Sequence, residues 1–231
     1  MEMKVIRASD LAKLLTFKPG GSEEGQKFGK IFEECYSFAC YLYEELTGYG
    51  RKVTRNFLRK CAALMREEGI YSKELVIRAY RMYSCLINCG LTGRKPKTRF
   101  RQLNDLILVA AQPDLYNWRT YIEIKTYPLN EYARMQASIF AWVLGEPMVV
   151  LVGLHTDETG YVTAEKEKIT PLLFEEAIGE LEIPQNIGAI QEVCERCRLP
   201  FRYCTCMRYE KYYDDWEEND EDAGEEEVFS V

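Results

Sequence analysis

Histidine is almost missing from this sequence: His155 is the only one in 231 residues. A nucleophile–histidine mechanism would therefore have a single base to use, and His155 ends a predicted strand with no obvious nucleophile partner, so it reads as structural. Neither a Gly-x-Ser-x-Gly elbow nor a Gly-rich phosphate loop occurs, so the common serine-hydrolase and nucleotide-hydrolase mechanisms lack their residues. No apolar run approaches the roughly 20 residues of a membrane span. The opening Met-Glu-Met-Lys-Val has no signal-peptide core. An intracellular, cytoplasmic protein with no membrane partner is expected, its oligomeric state not legible.

What the chain does hold is apolar: 47% of residues are hydrophobic and 13% aromatic, enough for a full core. The net charge of −7 hides a split. Between Gly50 and Arg101 stand 14 Lys and Arg against three acids, whereas Glu210 to Val231 holds 11 acids and only Lys211. The tail alone exceeds the whole net negative charge, so the rest of the chain is positive and suited to phosphates. Residues 51–67 and 73–90 are predicted helices, and Arg51, Lys52, Arg55, Arg59 and Lys60 recur at helical spacing in the first. Arg94, Lys95, Lys97, Arg99 and Arg101 continue the basic surface, and all ten are candidate DNA-binding residues.

The chemistry concentrates between Asn104 and Leu144. Asp105 is followed by an apolar run, residues 111–119 read as a turn-rich link, and Tyr121-Ile-Glu-Ile-Lys-Thr reads as a strand. Residues two apart in a strand share a face, so Glu123 and Lys125 point one way and Ile122 and Ile124 the other. Folding the link back brings an aspartate to them. Asp105 is preferred, paired across from Glu123 with the hairpin centre near Asp114, which is then a turn residue. Asp114 is the alternative. Carboxylates held together repel, by roughly 4 kcal/mol at 4 Å and an effective dielectric near 20, and a divalent cation removes that cost. A helix over 132–144, ended by Gly145-Glu-Pro147, and a buried strand over 148–154 follow.

This pattern resembles the PD-(D/E)XK nuclease superfamily, in which an Asp followed by Glu-x-Lys binds Mg²⁺ and cuts phosphodiesters. Gln136-x-x-x-Phe140 is similar to the Gln-x-x-x-Tyr of its RecB-like branch, with Phe as a departure. Gly29-Lys-Ile-Phe-Glu33 resembles the Gly-x-x-x-Glu of the first helix, with Glu34 adjacent. The resemblance implies a restriction-endonuclease-like α/β fold: a mixed central sheet flanked by helices, with a helical basic insertion at 51–98. It implies that Asp105, Glu123 and Glu33 hold Mg²⁺ or Mn²⁺, that Lys125 stabilises charge at phosphorus, and that Gln136 positions strand or lysine.

Cys194-x-x-Cys197-x6-Cys204-x-Cys206 has knuckle spacing. Zn²⁺ on four thiolates is the simplest account. The resemblance offers an iron–sulfur cluster instead, as in RecB-like and CRISPR-associated exonucleases, with Cys35 or Cys40 as the further ligand. Cys85 and Cys89 read as buried thiols. Three parts are expected: a nuclease-like domain 1–190, a cysteine knuckle 191–208 and a disordered acidic tail 209–231. The function implied is a metal-dependent deoxyribonuclease, a RecB-like exonuclease of DNA processing or repair. A structure-selective endonuclease of the Holliday-junction-resolvase kind and an inactive nucleic-acid-binding module are the alternatives.

Overall fold

The structure is a computed structural model that describes residues 4–16, 22–45, 50–104 and 106–179, all within the compact unit Met1–Gly188. In chain order these form β1 (Lys4–Arg7), α1 (Ala8–Thr16), α2 (Glu23–Glu45), α3 (Gly50–Glu67), α4 (Lys73–Asn88), β2 (Arg99–Asn104) and β3 (Ile107–Ala111). They continue as β4 (Leu115–Tyr116), β5 (Tyr121–Lys125), α5 (Glu131–Leu144), β6 (Val149–Thr156), β7 (Val162–Ile169) and α6 (Leu172–Gly179). No described helix is long and apolar enough to cross a membrane.

Two sheets form rather than one, in the orders β1-β3-β2 and β4-β5-β6-β7. Each is mixed: β3 runs parallel to β1 and antiparallel to β2, and β5 runs parallel to β6 and antiparallel to β4. The parallel pair β5/β6 requires a crossover, which α5 supplies. β6 is buried over most of its length, which is why Met148 to Leu154 reads as an unbroken apolar run.

The expected hairpin between 105–110 and 121–125 does not form. β3 spends both edges on β1 and β2, while β5 takes the two-residue β4, with Leu115 opposite Ile122 and Tyr116 opposite Tyr121. The apolar run at 107–111 is a central strand of the other sheet, which explains why four of its five residues are buried.

One core lies between α2, α3, α4 and the β4–β7 sheet. Its centre is aromatic: Phe32 stacks on Tyr36 at 5.8 Å, meets Phe57 edge-on at 6.0 Å, and Phe57 stacks on Tyr83 at 4.5 Å. The basic helices α3 and α4 thus share the core of α2, and removing the fully buried Phe57 ring would cost about 3–5 kcal/mol. A second core joins β1, β3, α1, α5, α6 and residues Val149 and Leu151 of β6. α5 is its axis, and both its ends are fixed. Asn130 accepts the Ala133 N–H at 2.9 Å, and Gly145, at φ 68°, lets Glu146 N–H reach the Ala141 carbonyl at 3.0 Å.

Candidate active site

Among the described residues six polar side chains are buried, and three of them, Asp114, Glu123 and Gln136, line one cavity of about 730 Å³ with Lys125 and Glu33. Local structure sets each in place. β5 alternates, so Ile122 and Ile124 go to the aromatic core while Glu123, level with Leu151, faces α5. Asp114 immediately precedes β4, and its Oδ2 accepts the Ile124 N–H at 2.6 Å. Gln136 sits in the second turn of α5, oriented by the Asn130 cap. Lys125 Nζ donates to Glu123 Oε1 at 2.6 Å and to Gln136 Oε1 at 2.8 Å. At the rim, Lys95 Nζ donates to Glu33 Oε1 at 3.0 Å, and Glu33 is hydrogen-bonded to the Asp114 side chain.

These charges strain one another. Burial raises the Asp114 pKa well above the usual carboxylate range, and Glu123 and Glu33 add to the rise. Burial also raises Glu123, only partly offset by Lys125. For Glu33 burial pulls upward too, yet the Lys95 ammonium, the Asp114 hydrogen bond and Lys125 together hold it below its ordinary value. Burial alone would depress Lys125, but Glu123, Tyr127 and Asp114 raise it, so it stays an ammonium. The metal-free site therefore favours a protonated Asp114.

No group of three acid, cysteine or histidine side chains among the described residues is closed into a ready metal cage. The donor chemistry nonetheless fits a hard cation. Glu123 Oε2 is buried and accepts nothing, an orphaned carboxyl oxygen in the cavity that Asp114 also lines. Asp114 and Glu123, with Glu33 from the rim, are the residues that could hold Mg²⁺ or Mn²⁺.

Asp105, the preferred aspartate in the sequence, lies outside the described residues. The pairing that would have carried it to Glu123 is replaced by β3 with β1 and β2, and Asp114, expected at a turn tip, is 5% exposed inside the cavity. A signal for it existed: Pro113-Asp114 stands nine residues before Glu123. Only two residues of strand follow it, yet the aspartate needs no long strand when the Ile124 N–H fixes it. Phe140 is buried in the α5 core, where a hydroxyl would find no water.

Of the basic candidates, Arg51, Lys52, Arg55 and Arg59 are exposed along α3. Lys60 instead pairs with Glu34 at 3.3 Å and lies over the Phe38 ring. Arg94 packs over Trp118 and Arg101 over Trp142, whose carbonyl Arg101 also engages. Lys97 and Arg99 are exposed. Cys35 and Cys40 are fully buried, Cys35 hydrogen-bonded with Cys61, so neither offers a sulfur at the surface. Cys85 is half-buried and Cys89 exposed, not the buried pair expected. Cys194, Cys197, Cys204, Cys206 and the acidic tail lie outside the described residues.

No protein-family model and no curated protein matches the chain. Solved structures similar to it include the following three. The alkaline exonuclease LHK-Exo of Laribacter hongkongensis is 16% identical over 62% of this chain and 81% of its own, at a TM-score of 0.32. LHK-Exo in complex with dAMP is 13% identical over 65% and 87%, at 0.34. The protein SSO0001 is 14% identical over 80% of both chains, at 0.36. Likenesses this slight decide neither fold nor function.

Proposed function

We propose that this chain is a metal-dependent nuclease of the RecB-like kind that hydrolyses phosphodiester bonds of DNA from strand ends, in DNA processing or repair. One observation carries the proposal: two buried carboxyls and a lysine converge in a cavity, the lysine is fixed by Gln136, and Glu123 Oε2 is left without a partner. An inactive binding module would gain nothing from burying that set, because each buried ionisable group costs stability.

Asp114 and Glu123, with Glu33, would hold Mg²⁺ or Mn²⁺. When bound, the cation would lower the pKa of a water and neutralise charge on the phosphate. Lys125, an ammonium with two of its three donors on Glu123 and Gln136, keeps a third for the attacking water or a phosphate oxygen. Gln136 cannot accept a proton at neutral pH, so it holds Lys125 in place without competing for its charge. Lys95 keeps Glu33 ionised at the mouth. Arg51, Lys52, Arg55 and Arg59 on α3, with Lys97 and Arg99, would take backbone phosphates without reading sequence. Cys194, Cys197, Cys204 and Cys206 are proposed to hold a structural Zn²⁺, giving colourless protein with about one zinc per chain. Brown protein would assign an iron–sulfur cluster in its place.

The test is cleavage of end-labelled single-stranded, duplex and junction DNA, and of RNA, with Mg²⁺, Mn²⁺ or EDTA. Nucleotides released progressively from DNA ends, with metal only, are expected. Cuts confined to junctions would assign a resolvase-like endonuclease instead, and inertness on every substrate with either metal would overturn the proposal.

A further inference from the structure

Arg78 of α4 is a cation set in the same cavity without an anion. Its guanidinium lies over the Phe28 ring at 5.0 Å, and Nη2 donates to the Thr126 carbonyl at 3.1 Å. Nε is buried and meets no acceptor. Burial lowers the pKa of the group, and no acid among the described residues offsets it. A guanidinium stripped of part of its water and given no anion costs free energy unless a ligand supplies one.

Its position narrows the ligand. Thr126, which anchors Nη2, directly follows Lys125, and Arg78 lines the cavity with Glu123, Lys125 and Gln136. It makes no hydrogen bond to the acids there, so it stands beside the acid–lysine set and not within it. Stacking on Phe28 and the Thr126 bond fix its plane, leaving a preorganised fork of N–H donors that suits an oxyanion with two oxygens to offer. A lysine could not present that fork.

We propose that Arg78 grips a phosphate oxygen of the substrate strand, at a linkage neighbouring the one that is cut. This rests on the nuclease reading of the cavity. It makes α4 part of the substrate site as well as of the core. The Nη donors not spent on Thr126 take the phosphate, and Thr126 ties the grip to the strand carrying Lys125, so the held phosphate and the lysine keep a fixed spacing.

The experiment is a binding scan on the full chain in EDTA, using oligonucleotides with one neutral methylphosphonate moved along the strand. Wild type should lose affinity at one position in particular. R78A should bind the all-phosphate strand about 10- to 100-fold more weakly, the range for a hydrogen bond between charged groups. It should also be indifferent to the methylphosphonate at that position. R78K keeps a charge near Thr126 but loses the fork, and its penalty at that position should shrink. That comparison decides the matter if R78A proves unfolded by circular dichroism. Strands ending in phosphate or hydroxyl separate an internal linkage from a terminal monoester as the group held. Equal affinity of wild type and folded R78A, or an unchanged penalty in R78K, overturns the inference. Wild type that binds but never cleaves with Mg²⁺ or Mn²⁺ overturns the nuclease reading and leaves the scan to judge Arg78 as a phosphate-binding residue alone.

Discussion

Strand β5 has two faces, and they were built to different standards. Ile122 is 1% exposed and packs with Leu115, Val152 and the aromatic helices, with nothing unsatisfied. One residue further, Glu123 is 3% exposed, its Oε2 has no partner, and burial works against its charge. The same five residues thus serve stability on one side and sacrifice it on the other. A fold seldom keeps such a face without a use for it, because apolar replacements of similar size would stabilise it. The contrast separates a face spent on packing from the face that the proposed chemistry would use.

Substitutions should separate the two faces. E123Q and K125A should lower metal-dependent cleavage by at least about 10²–10³-fold in kcat; E123Q should leave the thermal midpoint near wild type or above it, whereas K125A strips buried Glu123 of its ion-pair partner and should melt lower at neutral pH. I122A should do the reverse, losing about 2–5 kcal/mol of stability in a denaturant melt. The folded fraction should keep its turnover at low temperature. If I122A lost turnover while fully folded, the two faces would not be independent.

Smaller effects sharpen the same line. Q136A removes the hydrogen bond that ties Lys125 to α5 and should cost about 10- to 100-fold in kcat with little change in KM, since the lysine itself remains. D114N keeps an acceptor for the Ile124 N–H and a donor toward Glu33 without a buried ionisable group. The Asp114 pKa is raised in the fold, so its contribution is fully favourable only below its unfolded value of about 3.9, and is lost as pH rises through the folded value. Metal-free D114N should therefore melt above wild type at neutral pH, and the gap should close as pH falls toward 4. A constant gap across pH would contradict the assignment of that strain. Last, neutralising Arg51, Lys52, Arg55 and Arg59 together should leave single-turnover cleavage unaltered but flatten the salt dependence of duplex binding, by a log–log slope of about 3–4 if all four meet phosphates.

How much of this was legible depends on the range of the forces involved. The period-2 pattern of Tyr121 to Lys125 put Glu123 and Lys125 on one face, since alternation is a property of the local backbone. The helix carrying Gln136 and its Gly145 stop were legible for the same reason. What failed was pairing. β1 is four residues long and β2 mostly polar, so neither announced itself as the neighbour that claims β3. Without them, Ile107 to Ala111 seemed free to pair with β5. Asp114 followed from that error: its value lies in a bond to Ile124, ten residues away, and not in the strand around it.

The most direct test of the central claim compares wild type, D114N and D105N on end-labelled DNA with Mn²⁺ and with EDTA, each variant first shown to be folded. Wild type and D105N should degrade the strand with Mn²⁺ only, and D114N should leave it intact. Cleavage by D114N at the wild-type rate, or by any of the three in EDTA, would contradict a metal site built on Asp114 and Glu123.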